Sequence, residues 1–174
     1  GRVIQAFVDD NPPEPFTRVR DGGDYGWPFC NPNQHSSTGF FDMPFDRDAQ
    51  LNPDGAHRDC EKLDHISLGL PAHTAPLGMS FLHNSKLPAP WQQGAVIGLH
   101  GCWNCSKLNG NKVVFVPFSA DGKPAEAQDM ITGWIINAKA KTRWGRPVDA
   151  VPSGHGTLLI SDDYSGTIYE LYPR

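Results

Sequence analysis

Arg146 lies in the run Trp144-Gly-Arg-Pro-Val148 and is the side chain best suited to hold an anion. A guanidinium is a planar fork of donors that grips a planar carboxylate through two parallel hydrogen bonds. Gly145 leaves room beside it and Pro147 stiffens the turn. Its competing role is a surface arginine paired with Asp149. His73, in His73-Thr-Ala-Pro-Leu-Gly78, sits in a small-residue turn before a strand. An imidazole there either moves protons near neutral pH or satisfies loop carbonyls while half-buried. The run His100-Gly-Cys-Trp-Asn-Cys105 closes a strand. Trp103 either lies flat against a planar ligand or fills space between sheets. Lys107 adds a cation two residues past Cys105.

Four cysteines are present: Cys30, Cys60, Cys102 and Cys105. An even count without a zinc-type array favours disulfides and an oxidising compartment, with reduced cytosolic thiols as the alternative. Cys30 and Cys60 bracket a long irregular stretch and are expected to staple it. Cys102 and Cys105 form a Cys-x-x-Cys pair. Without a thioredoxin-like βαβ pattern a structural disulfide is expected there rather than a redox centre. Ser106 stands where haem attachment needs histidine, and two thiolates do not complete a zinc site. Asp9, Asp10 and Glu14 are calcium candidates, because that ion takes several oxygen ligands; a solvated acidic loop is the alternative. Asp162 and Asp163 are expected to shape a turn through Asx hydrogen bonds.

The elements that must position these groups are short strands. No stretch keeps apolar residues at helical spacing over three turns. Met79–His83, Gly94–His100, Lys112–Phe118, Met130–Ile136, Pro147–Pro152, Thr157–Ser161 and Thr167–Tyr172 read as strands, being β-branched or aromatic and bounded by turn residues. The best hairpin is 156–172. Residues 9–60 carry seven of the prolines, so a loop-rich segment with a strand or two at most is expected. The chain therefore divides into a loop-rich part, 1–78, and a part of regular strands, 79–174.

Composition excludes other classes. The 174 residues are 39% hydrophobic and 20% charged, with 18 glycines and 16 prolines. That is a turn-rich globular composition. The net charge is −4 with no basic stripe, so nucleic acid is not a partner. No apolar run reaches the roughly 20 residues of a spanning helix. Phosphate-loop, serine-elbow and paired-carboxylate signatures are absent. The chain begins with Gly1, so it reads as a processed or truncated piece.

Five segments, in order, resemble the soluble pyrroloquinoline-quinone (PQQ)-dependent glucose/sorbosone dehydrogenases. They are Gly22-Gly-Asp-Tyr-Gly-Trp-Pro-Phe-Cys30, His73–Gly78, Leu99-His-Gly-Cys-Trp-Asn104, Trp144–Val148 and Gly156–Tyr172. The resemblance implies an all-β, six-bladed β-propeller. At about 40–50 residues per blade this chain covers about the last three blades. It implies oxidation of an aldose or related sugar aldehyde with PQQ and calcium as cofactors, in the periplasm or outside the cell. It puts Arg146, Trp103, Lys107 and His73 on the cofactor, and makes His73 the catalytic candidate on this chain. The main base and part of the calcium loop are expected on earlier blades, so a lone chain is expected to be catalytically incomplete. Cys105 replaces the family's basic residue after Asn104. The competing function is a non-catalytic propeller serving as a binding or structural module.

Exposed inter-blade faces, rich in Trp103, Phe115, Trp134 and Trp144, would need covering. The remaining blades on another chain, or a second copy, are the expected partners, besides the sugar and an electron acceptor that the sequence does not identify. The reading predicts a strand-dominated far-UV circular dichroism spectrum; a helical spectrum would exclude it.

Overall fold

Frequent prolines and glycines cut the backbone into strands of two to six residues, and antiparallel pairing by tight turns is what such strands can form. The protein, as a computed structural model, is described over residues 3–173. It is an all-β chain. Its one α-helix among the described residues is α1 (Gln5–Asp10), which the sequence pattern did not announce. Two compact units are formed: one by Asp10–Ala72, the other by the segment before Asp10 together with the chain from His73 onward.

The Asp10–Ala72 unit holds β1 (Glu14–Phe16), β2 (Cys30–Pro32), β3 (Phe41–Met43), β4 (Phe45–Arg47) and β5 (Ile66–Leu70). Four strands thus lie in the stretch where one or two were expected. Each is three residues long, which is why no alternation could be read from them. β5 is the central strand, antiparallel to β1 through Phe16↔Leu68 and to β3 through Phe41↔Leu68. β2 pairs with β4 through Asn31↔Asp46. The core gathers Cys30, Met43, Phe45, Cys60, Leu63 and Ile66, with Tyr25 and Phe29 against it. Asn52, fully buried, organises the loop before Cys60. Its Nδ2 donates to Arg58 O at 2.7 Å and its Oδ1 accepts from His57 N at 3.1 Å. Cys30 is bonded to Cys60, as expected.

The second unit opens with an antiparallel meander of β6 (Pro76–Phe81), β7 (Gly94–Leu99), β8 (Lys112–Pro117) and β9 (Gln128–Ile131). A two-stranded hairpin, β10 (Ile135–Asn137) and β11 (Thr142–Arg143), follows. A three-stranded sheet, β12 (Pro147–Pro152), β13 (Leu158–Asp162) and β14 (Thr167–Leu171), completes it. The expected strand Met130–Ile136 is instead two strands, because Gly133 takes a φ of 118° between them. All six residues of β7 are buried, so β7 is the spine of this unit. Leu82, Val96, Val113, Phe115, Trp134, Leu158 and Ile160 build its core from both sheets.

Phe115 and Trp134 are therefore interior side chains, only 2% and 3% exposed, and not part of an open face. Of the four aromatics assigned to such a face, only Trp103 and Trp144 are exposed. Cys102 is bonded to Cys105 and the pair packs with Leu108, Ile135 and Ala138.

Closing the loop of sequence separation 30 between Cys30 and Cys60 contributes about 3–4 kcal/mol in the chain-entropy picture. Urea unfolding of the Cys30→Ser, Cys60→Ser double variant should show a loss of that order. An unchanged midpoint would show that the Met43–Phe45–Ile66 core holds this unit without its staple.

Candidate functional site

Two tight contacts bring Arg146 to the end of β7. β12 packs across β6 and β7, and at two glycines no side chain fits. A Cβ on Gly98 would collide with the carbonyl of Val148, and one on Gly78 with the carboxylate of Asp149. The start of β12 is thereby laid over the end of β7. Arg146, just ahead of β12, meets His100, just past β7.

Arg146 is held at both ends. Its backbone N–H donates to Asp162 Oδ1 at 2.9 Å. Its Nε donates to His100 O at 3.1 Å and its Nη2 to Gly101 O at 2.8 Å. It does not pair with Asp149, whose carboxylate lies against Gly78 and caps Ala150 N. Of the five guanidinium N–H donors two are used, and no carboxylate among the described residues stands within ion-pair distance. Burial pulls this guanidinium below its usual range. The neighbouring Arg143 adds to that, while Asp163 and Tyr164 oppose it. Arg143 itself reaches Cys102 O at 3.4 Å and lies over the Tyr164 ring at 5.9 Å. The result is a cationic pair with spare donors at the ends of β7 and β13.

Gly145 serves a different purpose from the one expected. A Cβ there would strike Asp162 Oδ2 and the Trp134 ring, so the glycine makes room for a buried carboxylate. Asp162, 3% exposed, accepts at Oδ1 from the N–H groups of Arg146, Tyr164 and Ser165, and at Oδ2 from Tyr169 OH at 2.9 Å. Burial alone would raise its carboxyl. The hydrogen bonds from Arg146, Ser165 and Tyr169 outweigh burial and hold it below the ordinary value. The expected Asx turn is formed, and Asp162 also clamps the turn to Arg146.

His100 is the group the sequence reading passed over. Its Nε2 lies 2.8 Å from Asp163 Oδ1, and its side chain is 13% exposed. Asn111, 1% exposed, donates to His100 O at 3.1 Å and to Gly145 O at 3.4 Å, tying the two segments around Arg146. The signal available in the sequence was a histidine at a strand end with Asp-Asp in a turn; only the fold brings them together.

The other candidates disperse. His73, at φ 58°, turns its Nε2 to Val8 O at 2.6 Å, the loop-carbonyl role. Trp103 is 85% exposed on the disulfide loop and Lys107 is exposed. Asp9 accepts from Ser106 N and Oγ and from Gln5, and the Ser106 hydroxyl foremost lowers its pKa. Asp10 is exposed and Glu14 is half-buried on β1. Among the described residues no three His, Cys, Asp or Glu side chains group to hold a metal ion. A shallow cleft of about 240 Å³ runs along Leu108, Asn109, Lys112, Thr132 and Ile135 and also includes Asn111 in its lining.

This is an all-β protein whose fold is shared with a carbohydrate-active enzyme of family AA12 and with the PQQ domain of a pyranose dehydrogenase. It superposes on the calcium structure of a Trichoderma reesei carbohydrate-active enzyme of family AA12 with a TM-score of 0.70 at 21% identity, over 95% of this chain and 44% of that one. On the holo form of the pyranose dehydrogenase PQQ domain of Coprinopsis cinerea the TM-score is 0.65 at 24% identity, over 96% of this chain and 46% of that one. The TrAA12-like family model matches residues 7–174, and the chain belongs to that family.

In sequence it is 35% identical over 120 residues to a PQQ-dependent pyranose dehydrogenase of C. cinerea, covering 59% of this chain and 16% of that protein. It is 33% identical over 104 residues to an uncharacterized protein of Borreliella burgdorferi, covering 59% and 27%. The chain thus spans well under half the length of these relatives. The family shown is the TrAA12-like one; the glucose/sorbosone dehydrogenases of the motif resemblance share with its relatives the link to PQQ.

The Asp162 clamp sets a pH limit. A carboxylate with a lowered folded pKa stabilises fully above its ordinary value of 3.8, and that stabilisation is lost as pH falls through the folded value. Asp162→Ala should cost about 2–4 kcal/mol at pH 7, because it strands buried donors. It should also flatten the acid limb of the stability curve below pH 3.8. A variant as stable as the parent at pH 7 would show that the clamp is dispensable.

Proposed function

We propose that the chain is the cofactor-holding part of a PQQ-dependent sugar oxidoreductase, with Arg146 as the anion-binding group. The observation that carries this reading is the half-buried Arg146. It is fixed by two backbone carbonyls, flanked by Arg143, lacks a carboxylate partner among the described residues and has donors to spare. A planar tricarboxylate with quinone oxygens matches that donor set, and a guanidinium locked in place grips it at little further cost in side-chain order. PQQ, when bound, supplies a quinone that accepts hydride from a sugar carbon. The protein's own part is to orient the ligand through Arg146 and Arg143 and to keep that orientation through Asp162 and Asn111.

For calcium the side-chain donors do not fit: Asp9 is engaged by Ser106, and no carboxylate group of three is formed among the described residues. No step is therefore derived through it. His73, Trp103 and Lys107 keep their candidacy as cofactor contacts only on the resemblance.

A six-bladed propeller is the architecture proposed for the complete protein. The four-stranded meander and the three-stranded sheet packed across it are blade-like, and the solved relatives are more than twice as long as the stretch matched. Further blades, on additional sequence, a second chain or another copy, would complete the pocket at Arg146. Two disulfides support an oxidising compartment, periplasmic or extracellular. The second reading, a propeller that kept the fold and lost the cofactor, is favoured by one observation. Cys105, where the resembling segment carries a base, is locked in a disulfide and supplies no cation.

Absorbance titration of the purified protein with PQQ, with and without calcium, separates the two. Saturable binding is expected, and Arg146→Lys, which keeps charge but loses the fork, should weaken it at least about tenfold, or 1.4 kcal/mol. A thermal melt guards against misfolding. No saturable spectral change would leave the non-catalytic reading standing.

A further inference from the structure

We propose that the cleft along Leu108, Asn109, Asn111, Lys112, Thr132 and Ile135 is a ligand site other than the anion site at Arg146, and that it takes a small neutral polyol, a single sugar ring. The inference does not depend on the cofactor reading.

Two orphaned atoms carry it. Among the described residues three buried side-chain polar atoms lack a hydrogen-bond partner, and two of them, Asn111 Oδ1 and Trp134 Nε1, belong to this one place. Asn111 is part of the cleft lining, and Trp134 lies between two of its residues, Gly133 and Ile135. Both also border Gly145. Asn111 Nδ2 donates to its carbonyl at 3.4 Å, and a Cβ on Gly145 would come within 2.9 Å of Trp134 Nε1. The Asn111 amide cannot turn round. Its Nδ2 donates to the carbonyls of His100 and Gly145, so a flip would set oxygen against oxygen. Gly101 gives Oδ1 its room, since a Cβ there would strike it. Asn111 thus holds a fixed acceptor and Trp134 a donor. At 1% and 3% exposure, unpaired groups of this kind are costly.

The pair of atoms selects the ligand. A hydroxyl is a neutral group that donates to an amide oxygen and accepts from an indole N–H at once. The cleft holds about 240 Å³, below the roughly 300–1,000 Å³ of pockets for drug-sized molecules, which limits the ligand to one small ring. Its charge is balanced. Lys112 Nζ stands 2.5 Å from Asp129 Oδ1, so it does not call for an anion, and none of the lining residues is acidic, so nothing calls for a cation. Leu108 and Ile135 offer apolar surface to the C–H face of a ring, with Asn109 and Thr132 for its hydroxyls. Both orphaned atoms lie below the surface, so the ligand hydroxyl enters past the Thr132–Gly133 link. That link is exposed, and a Cβ on Gly133 would meet nothing within 4 Å, so it has space to move aside.

The test uses cofactor-free protein labelled with ¹⁵N and titrated with D-glucose, D-galactose and myo-inositol. The Trp134 indole N–H and the Asn111 side-chain amide resonances should move saturably with at least one of them. A Kd of about 1 mM is expected for a small ligand with few polar contacts, and citrate should not displace the sugar. Thr132→Trp fills the cleft from an exposed position and should weaken binding at least about tenfold with the thermal melt unchanged. Thr132→Leu fills less of the same space and serves if the tryptophan variant does not fold.

Saturable shifts that survive the filling of the cleft put the sugar elsewhere and overturn the proposal. So does the absence of any shift with all three polyols, the two atoms then being served by buried water. Protein that binds sugar here but no PQQ loses the oxidoreductase reading alone. Protein that binds PQQ but no sugar in the cleft loses this inference alone.

Discussion

Everything in the second unit hangs on how closely β12 lies on β6 and β7. The backbone of Val148 occupies the space a side chain on residue 98 would need, and the Asp149 carboxylate that of residue 78. Gly98 and Gly78 are therefore demanded by approach, not by turn conformation. Replacing either would lift the three-stranded sheet off the meander. The shared core of Val96, Phe115, Leu158 and Ile160 would open with it. The same contact fixes the distance between the end of β7 and the start of β12, and with it whether Arg146 Nε reaches His100 O.

That reach is protected by polar groups that would be costly without one another. Asp162 is buried and ionised only because three backbone N–H groups and a phenol surround it. Its presence requires Gly145, and its acceptance of Arg146 N–H aims the arginine side chain at β7. Asn111 repeats the device from the other side, in a left-handed conformation at φ 49° that an asparagine tolerates. The carbonyls of His100 and Gly101 then see a guanidinium and an amide instead of water.

Most of the regular fold was legible from residue 79 onward. There the apolar runs are four to six residues long and bounded by Gly, Pro or Asp, and β7, β8, β12, β13 and β14 lie within a residue or two of their expected limits. The 14–47 strands were not legible, because three residues show no alternation and β1 finds its partner β5 only across the whole unit, from Glu14 to Leu70. Both disulfides were legible from spacing. Arg146 was legible as a residue, whereas its bonding was not. Asp149, the partner in its competing surface role three positions along, is drawn to β6 by sheet packing. The paired His100 and Asp163 are 63 positions apart, and no local pattern joins them.

Asp162 and Asp163 show why chemistry here is decided by place and not by residue type. They are neighbours in one turn, and in the sequence they are interchangeable. The pleat of β13 sends Asp162 inward, where Gly145 leaves a pocket and four donors converge, so its charge is spent on structure. Asp163, one residue on, falls outside the strand and points to the ring of His100 with its carboxylate 62% exposed. A carboxylate in the first position is enclosed beside Gly145 and already accepts four hydrogen bonds. One in the second cannot anchor the turn, because water competes for it. The adjacent pair thus divides two tasks: the buried member holds Arg146 in place, and the exposed member pairs with the imidazole of the histidine whose carbonyl Arg146 grips.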